Sequence, residues 1–305
     1  MFPGGPNPSK IQSGTGGSLA PLVLIHDGGG TTFSYFFLGN INRDVWVIHN
    51  PHYWSGEKVE GGIDAMAKNY ITLIRNAGLR GKIFLGGWSL GGYLSLAIAR
   101  MIADDPTALF SVQGIVIIDS PFHIPYDRLS SPVIDPDMDD LPKLIQTCFA
   151  HCDDYLKDWE PPAFTAPTNG GKPLSIALGP EQVDLQLNQS LYQPLSGKWE
   201  LHQSKPFTFN DPNPAKVISP PPTALIRCTD PTLGPGGNEK VLCTVDIYRK
   251  EPLLGWGEGR YPDFIKIAMD VEAAHFDIFD RENDKRLEIV TSKLDIALRA
   301  FDRLK

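Results

Sequence analysis

Short, uninterrupted apolar runs punctuate this chain, and stretches of helical spacing lie between them. Leu22-Val23-Leu24-Ile25 is the first run, Val45-Trp46-Val47-Ile48 the second and Ile83-Phe84-Leu85 the third. Gly114-Ile115-Val116-Ile117-Ile118, Thr223-Ala224-Leu225-Ile226 and residues 264–269 follow. A short run that is apolar at nearly every position predicts a strand covered on both faces, the kind a parallel sheet buries. Residues 64–76 instead bring Met66, Tyr70, Ile71 and Ile74 to one side of a helix. Residues 93–101 predict a second helix. Residues 282–304 predict a closing amphipathic one, with Leu287, Ile289, Val290, Leu294, Ile296, Ala297 and Phe301 as its apolar positions. Strands alternating with helices in this way predict an α/β fold with a mainly parallel central sheet and helices on both faces.

Two stretches break the alternation. Residues 1–19 are rich in Gly, Pro and Ser and read as a flexible lead-in. Residues from about 124 to 219 carry many prolines, and Tyr126, Tyr155, Trp159, Tyr192 and Trp199 lie there in largely polar surroundings. A helix is expected near 141–156. The segment is too long for a plain loop. It follows the strand ending at Ile118, so it is expected to fold over the carboxyl edge of the sheet as a lid. The organisation read from sequence is therefore one domain over 20–305 with a lid inserted at about 124–219.

The candidate chemistry sits where strands end. Ser89 lies in Gly87-Trp88-Ser89-Leu90-Gly91, directly after an apolar strand and directly before a helix. That order is what a nucleophile elbow requires, and the glycines let strand and helix approach closely around a strained serine. The elbow aims the backbone N–H of Leu90 at the point where an oxyanion would form. A second donor is expected from His26-Asp27-Gly28-Gly29-Gly30, after the first central strand, with Gly28 favoured and Asp27 next. No Lys-Ser or Lys-Thr follows these glycines, which discounts a phosphate loop. His26 reads as a loop anchor. The base should lie between the last strand and the last helix, where His275 stands in Ala274-His275-Phe276. For the acid, Asp119 ends the 114–118 strand and Asp230 follows the 223–226 strand; Asp119 is the tighter fit because its strand runs into it without a break.

Composition narrows the classes. A net charge of -8 argues against nucleic acid as a partner. No apolar run reaches membrane-spanning length, and Met1-Phe2-Pro3-Gly4-Gly5-Pro6 lacks the basic and apolar regions of a signal peptide. The 4 cysteines, Cys148, Cys152, Cys228 and Cys243, are too few for a disulfide framework in 305 residues, which suits a reducing compartment and a cytoplasmic setting. Cys148, His151 and Cys152 share a helical turn, but their spacing fits no standard zinc pattern. Asp135, Asp137, Asp139 and Asp140 lack the glycine and terminal glutamate of a calcium loop. No metal site is expected.

Three segments in order, Gly86-Gly87-Trp88-Ser89-Leu90-Gly91-Gly92, His26-Asp27-Gly28-Gly29-Gly30-Thr31 and His275-Phe276-Asp277-Ile278-Phe279, resemble the thioesterase domains that end polyketide and nonribosomal peptide synthases, fungal ones especially. The resemblance spans the chain apart from the lead-in and weakens through the lid. It implies an α/β-hydrolase fold and a triad of Ser89, His275 and Asp119, since the family places its acid after the strand that follows the elbow. It implies a two-step reaction with no bound cofactor. An acyl or peptidyl carrier protein would present the chain as a phosphopantetheine thioester, Ser89 would take it, and water would release it. Release onto an alcohol or amine, cyclisation, and a general carboxylesterase activity are the alternatives. The resemblance fits a free-standing enzyme acting in trans and an excised terminal domain equally.

Overall fold

The computed structural model describes residues 5–15, 19–129, 133, 138–205, 217–232, 243–257, 261 and 263–304. The apolar runs form the middle of one sheet. Strands β1 (Ser9–Gln12), β2 (Leu22–Ile25), β3 (Val45–Ile48), β4 (Gly81–Trp88), β5 (Phe110–Ile118), β8 (Gln189–Gln193), β9 (Glu200–Gln203), β10 (Thr223–Cys228) and β11 (Ile265–Val271) lie in the order β1-β3-β2-β4-β5-β10-β11-β8-β9. The run from β3 to β8 is parallel throughout, and only the outermost pairs, β1 with β3 and β8 with β9, are antiparallel.

Each central strand feeds both faces because successive side chains alternate. Val23, Ile25, Ile83, Leu85, Ile115 and Ile117 point to one core, which α1 (Gly62–Asn76) and α2 (Leu90–Asp104) cover. Leu22, Leu24, Phe84, Val116 and Ile118 point to the other, closed by α4 (Asp284–Asp302) through Leu287, Val290, Leu294 and Phe301. The mainly parallel sheet with helices on both faces is thus the observed architecture.

Two expectations about the chain's organisation need correcting. The lead-in is not wholly flexible: Ser9–Gln12 pairs with β3, and Asn7 Nδ2 donates to the His49 carbonyl at 2.8 Å. A short polar strand half-buried on one edge has no apolar run to announce it. The segment 124–219 is not one lid. Its α3 (Lys143–Leu156) does sit over the loop after β2. Its hairpin of β6 (Leu174–Leu178) and β7 (Glu181–Leu185) instead sends Leu174, Ile176 and Leu185 into the core under α4, and β8 and β9 extend the main sheet beyond β11. β8 and β9 carry mostly polar residues: β8 buries only Ser190 and Leu191, and β9 is largely exposed.

Candidate active site

Ser89 lies between β4 and α2 with φ 53 and ψ −119, a conformation that side-chain-bearing residues rarely adopt. Its neighbours hold it there. Ser89 N–H donates to the Ile118 carbonyl at 3.0 Å, and its own carbonyl accepts from Gly92 N–H at 3.0 Å and from Ser120 Oγ at 2.5 Å. The Tyr35 hydroxyl accepts from Trp88 N–H at 2.8 Å and donates to the Ile25 carbonyl at 2.6 Å, tying the ends of β4 and β2 together. Leu90 opens α2, and N–H groups in a first turn have no intrahelical acceptor. The helix dipole adds partial positive charge at the same point.

Asp119 follows β5 and also has positive φ, at 48. His275 follows β11 in the short turn His275–Asp277. The two side chains meet: His275 Nδ1–H donates to Asp119 Oδ2 at 2.8 Å, with both residues at 0% exposure. That bond fixes the imidazole tautomer, so Nε2 carries the lone pair, and Nε2 has no hydrogen-bond partner among the described residues. The imidazole lies 5.5 Å from the Trp88 ring, centroid to centroid, next to the elbow. Asp230, the other candidate acid, is exposed; its N–H donates to the Ala273 carbonyl and its carboxylate accepts from Thr229 Oγ1.

Two residues that pattern reading missed complete this cluster. Arg249 donates to Asp119 Oδ1 at 2.6 Å and Oδ2 at 2.9 Å, and its Nε donates to Asp246 Oδ1 at 2.8 Å. Burial by itself would raise the Asp119 carboxyl, but the Arg249 charge and the His275 bond outweigh it and hold the group well below the usual carboxylate range. A depressed folded pKa contributes stability that is complete above the unfolded value of about 4 and is lost as pH falls through the folded value. Urea midpoints measured from about pH 4 downward are therefore expected to fall more steeply for the wild type than for Asp119→Asn.

The glycine loop is anchored from below. His26 Nδ1–H donates to the Asp27 carbonyl and Nε2 accepts from Tyr70 of α1, both at 2.6 Å. Burial pushes His26 down to about 4, so it serves as a neutral anchor. Three loop N–H groups have internal acceptors: His26 on the Ile48 carbonyl, Gly29 on Asp27 Oδ1 and Gly30 on the Asp27 carbonyl. Among the described residues the Gly28 N–H has no such acceptor. Asp27 is half-buried, and desolvation pushes its carboxyl up to about 7 against the loop N–H groups. From above, α3 closes on the loop. A Cβ at Gly28 would lie 2.9 Å from the Phe149 ring, and one at Gly30 would lie 2.9 Å from Cys148 Sγ. Cys148 and Cys152 therefore pack onto the loop, and His151 turns to Tyr155. Among the described residues no group of three or more His, Cys, Asp or Glu is arranged to hold a metal ion.

The chain is 43% identical to the probable thioesterase KK1J of Curvularia clavata over 286 residues, covering 93% of this chain and 92% of that one. The chain belongs to the fungal thioesterases. This thioesterase is also 44% identical over 119 residues, 39% of its length, to 3% of the nonribosomal peptide synthetase imqB of Aspergillus flavus. Its fold is similar to the NocB thioesterase domain solved in covalent complex with a fluorophosphonate nocardicin G analog, with a TM-score of 0.55 and 18% identity over 92% of this chain and 94% of that one. No protein-family model matches the chain.

A cleft of about 800 Å³ opens beside the thioesterase's elbow. Trp88, Leu141, Ile145, Phe149 and Phe276 give it an apolar lining, and Asp27 and Asp230 sit among them. No helix among the described residues is long and apolar enough to cross a membrane.

Proposed function

We propose that this thioesterase works through Ser89 as nucleophile, His275 as base and Asp119 as acid, on an acyl chain carried as a phosphopantetheine thioester by an acyl or peptidyl carrier protein, and that it releases the chain to water. The observation that carries the reading is the buried Asp119–His275 bond of 2.8 Å, which leaves Nε2 without a partner among the described residues while the imidazole lies against Trp88 of the elbow.

The chemistry follows from those atoms. His275 Nε2 takes the Ser89 proton as Oγ attacks the thioester carbonyl. The Leu90 N–H, with Gly28 or Asp27 from the facing loop, receives the oxyanion. Collapse breaks the C–S bond, and the imidazolium returns its proton to the departing thiol. Water, activated by the same Nε2, then splits the acyl ester and regenerates Ser89. No metal or resident cofactor enters these steps. The apolar cleft suits a polyketide- or peptide-type chain, and the relationship to a nonribosomal peptide synthetase supports a carrier protein as donor in secondary metabolism.

Incubation of the wild type and Ser89→Ala with acyl thioesters on a carrier protein or a short pantetheine mimic tests this, with products read by mass spectrometry. The wild type is expected to show an adduct on Ser89 followed by free acid, and Ser89→Ala neither. An adduct that resolves only to a lactone, ester or amide would replace hydrolysis by cyclisation or transfer. Turnover of simple esters with no thioester adduct would leave a general esterase.

A further inference from the structure

Asp119 is an unusual acid for its task. It accepts from His275 Nδ1–H, from the Cys228 N–H at 2.8 Å and, on both oxygens, from Arg249. Ion pairing repays the cost of burying the carboxylate. Yet a full positive charge on the acid would also cancel much of what the acid offers to an imidazolium at His275. The second carboxylate changes this balance. Asp246 Oδ1 accepts from Arg249 Nε, and its Oδ2 is held at 2.6 Å by the Thr232 N–H. Asp119, Arg249 and Asp246 together leave one net negative charge beside His275, which imidazolium brings to zero. The turn bearing Arg249 is itself fixed. Arg227 of β10 donates to the Arg249 and Glu251 carbonyls at 3.0 Å each, while its Nε pairs with Asp270 of β11 at 2.7 Å.

Building on the triad reading above, we propose that Arg249 and Asp246 are a positioning pair for the acid: Arg249 fixes the plane and the charge of Asp119, and Asp246 offsets Arg249 so that imidazolium still forms at His275. The other titratable groups described around the cluster do not supply this balance. Burial pushes the Cys228 thiol at the end of β10 and the Tyr93 hydroxyl of α2 well up, so both stay neutral. Arg227 is paired with Asp270. Asp27, Asp230 and Asp277 line the neighbouring cleft and are the same in every variant compared below.

The test is the pH dependence of kcat/KM on an acyl thioester of a short pantetheine mimic, for the wild type, Arg249→Met, Arg249→Lys, Asp246→Asn and Asp119→Asn, each checked for folding by circular dichroism. The acid limb reports the free enzyme's base. Asp246→Asn leaves extra positive charge near His275, so its limb is expected about one pH unit lower. Arg249→Met removes positive charge, so its limb is expected higher by a similar amount. Both are expected to lose about tenfold or more at the plateau, and Arg249→Lys to keep the wild-type limb. A merely structural role would lower the plateau of both variants without moving their limbs in opposite directions, and that result would overturn the proposal. If Arg249→Met fails to fold, the Asp246→Asn limb decides alone: a downward shift supports the pair and an unshifted limb overturns it. Near-normal turnover by Asp119→Asn would sink the triad reading and this proposal with it. A large loss there with unshifted limbs elsewhere would sink the positioning pair only.

Discussion

Asp119→Asn is expected to lower kcat by about ten-thousandfold while the protein stays folded. Two physical effects add. The amide cannot hold His275 in the tautomer that leaves Nε2 free, because its Nδ2 is a donor facing the same Nδ1 atom. The substitution also leaves Arg249 at full charge in a buried cluster, with Asp246 its one remaining ion-pair partner among the described residues. Positive charge near His275 then opposes imidazolium in the step where it must form. Asp230→Asn is the matched control. Asp230 is exposed and makes no bond to His275, so its variant is expected to keep kcat within about threefold of wild type. Single-turnover measurements on a soluble thioester check both, since they isolate the chemical step from product release. A small effect at Asp119 and a large one at Asp230 would exchange their assignments.

Gly91→Ala is expected to destabilise the fold by about 3 kcal/mol or more and to abolish turnover. Local and tertiary effects have opposite signs at this position, so the outcome is informative. Gly91 lies in the first turn of α2, where alanine is favoured over glycine by about 1 kcal/mol on intrinsic propensity. Its Cβ, however, would run into the Ile25 carbonyl at the end of β2 and lie 3.0 Å from the His26 carbonyl. Backbone atoms of a central strand cannot give way cheaply, and here they also carry the glycine loop. Packing should therefore win by a clear margin. Gly87 is crowded from the other side, where an added Cβ would lie 2.7 Å from both Gly91 Cα and the Ile25 carbonyl. Urea denaturation of Gly91→Ala with a wild-type m-value would report the stability change directly. A gain in stability would mean that strand and helix are farther apart than this packing requires.

The close fit at these glycines also explains why the elbow was legible in sequence. Gly-x-Ser-x-Gly between an apolar strand and a helix leaves few other structures open, because a serine at φ 53 needs small neighbours on both sides. The central strands were legible for a similar reason. Burial on two faces forces every position of β2 and β10 to be buried, which appears as an unbroken apolar run in β2 and as apolar or small residues interrupted by Arg227 alone in β10, with the pairs still to be chosen. His275 was legible from its place between the last strand and the last helix. Asp119 was legible as the residue ending β5.

What the sequence by itself determined was the local layer of the central sheet: which segments form its buried strands and their covering helices, and which side chains end up at the strands' carboxyl ends. The partners of those side chains came only from the tertiary structure. Arg249 lies 130 residues from Asp119, in a turn with neither strand nor helix periodicity, and nothing in Tyr248-Arg249-Lys250 distinguishes a buried clamp from a surface cation. The edge strands β8 and β9 were hidden for the opposite reason. Their mostly polar residues leave no apolar run, a pattern that reads as lid. Phe149 was hidden as well, since a helix pattern states that a face is apolar without stating that it closes on Gly28. Periodicity reports how a segment is solvated along its own length. Pairing between segments depends on chain reversals that leave no periodic trace, and the charge balance around His275 is of that kind.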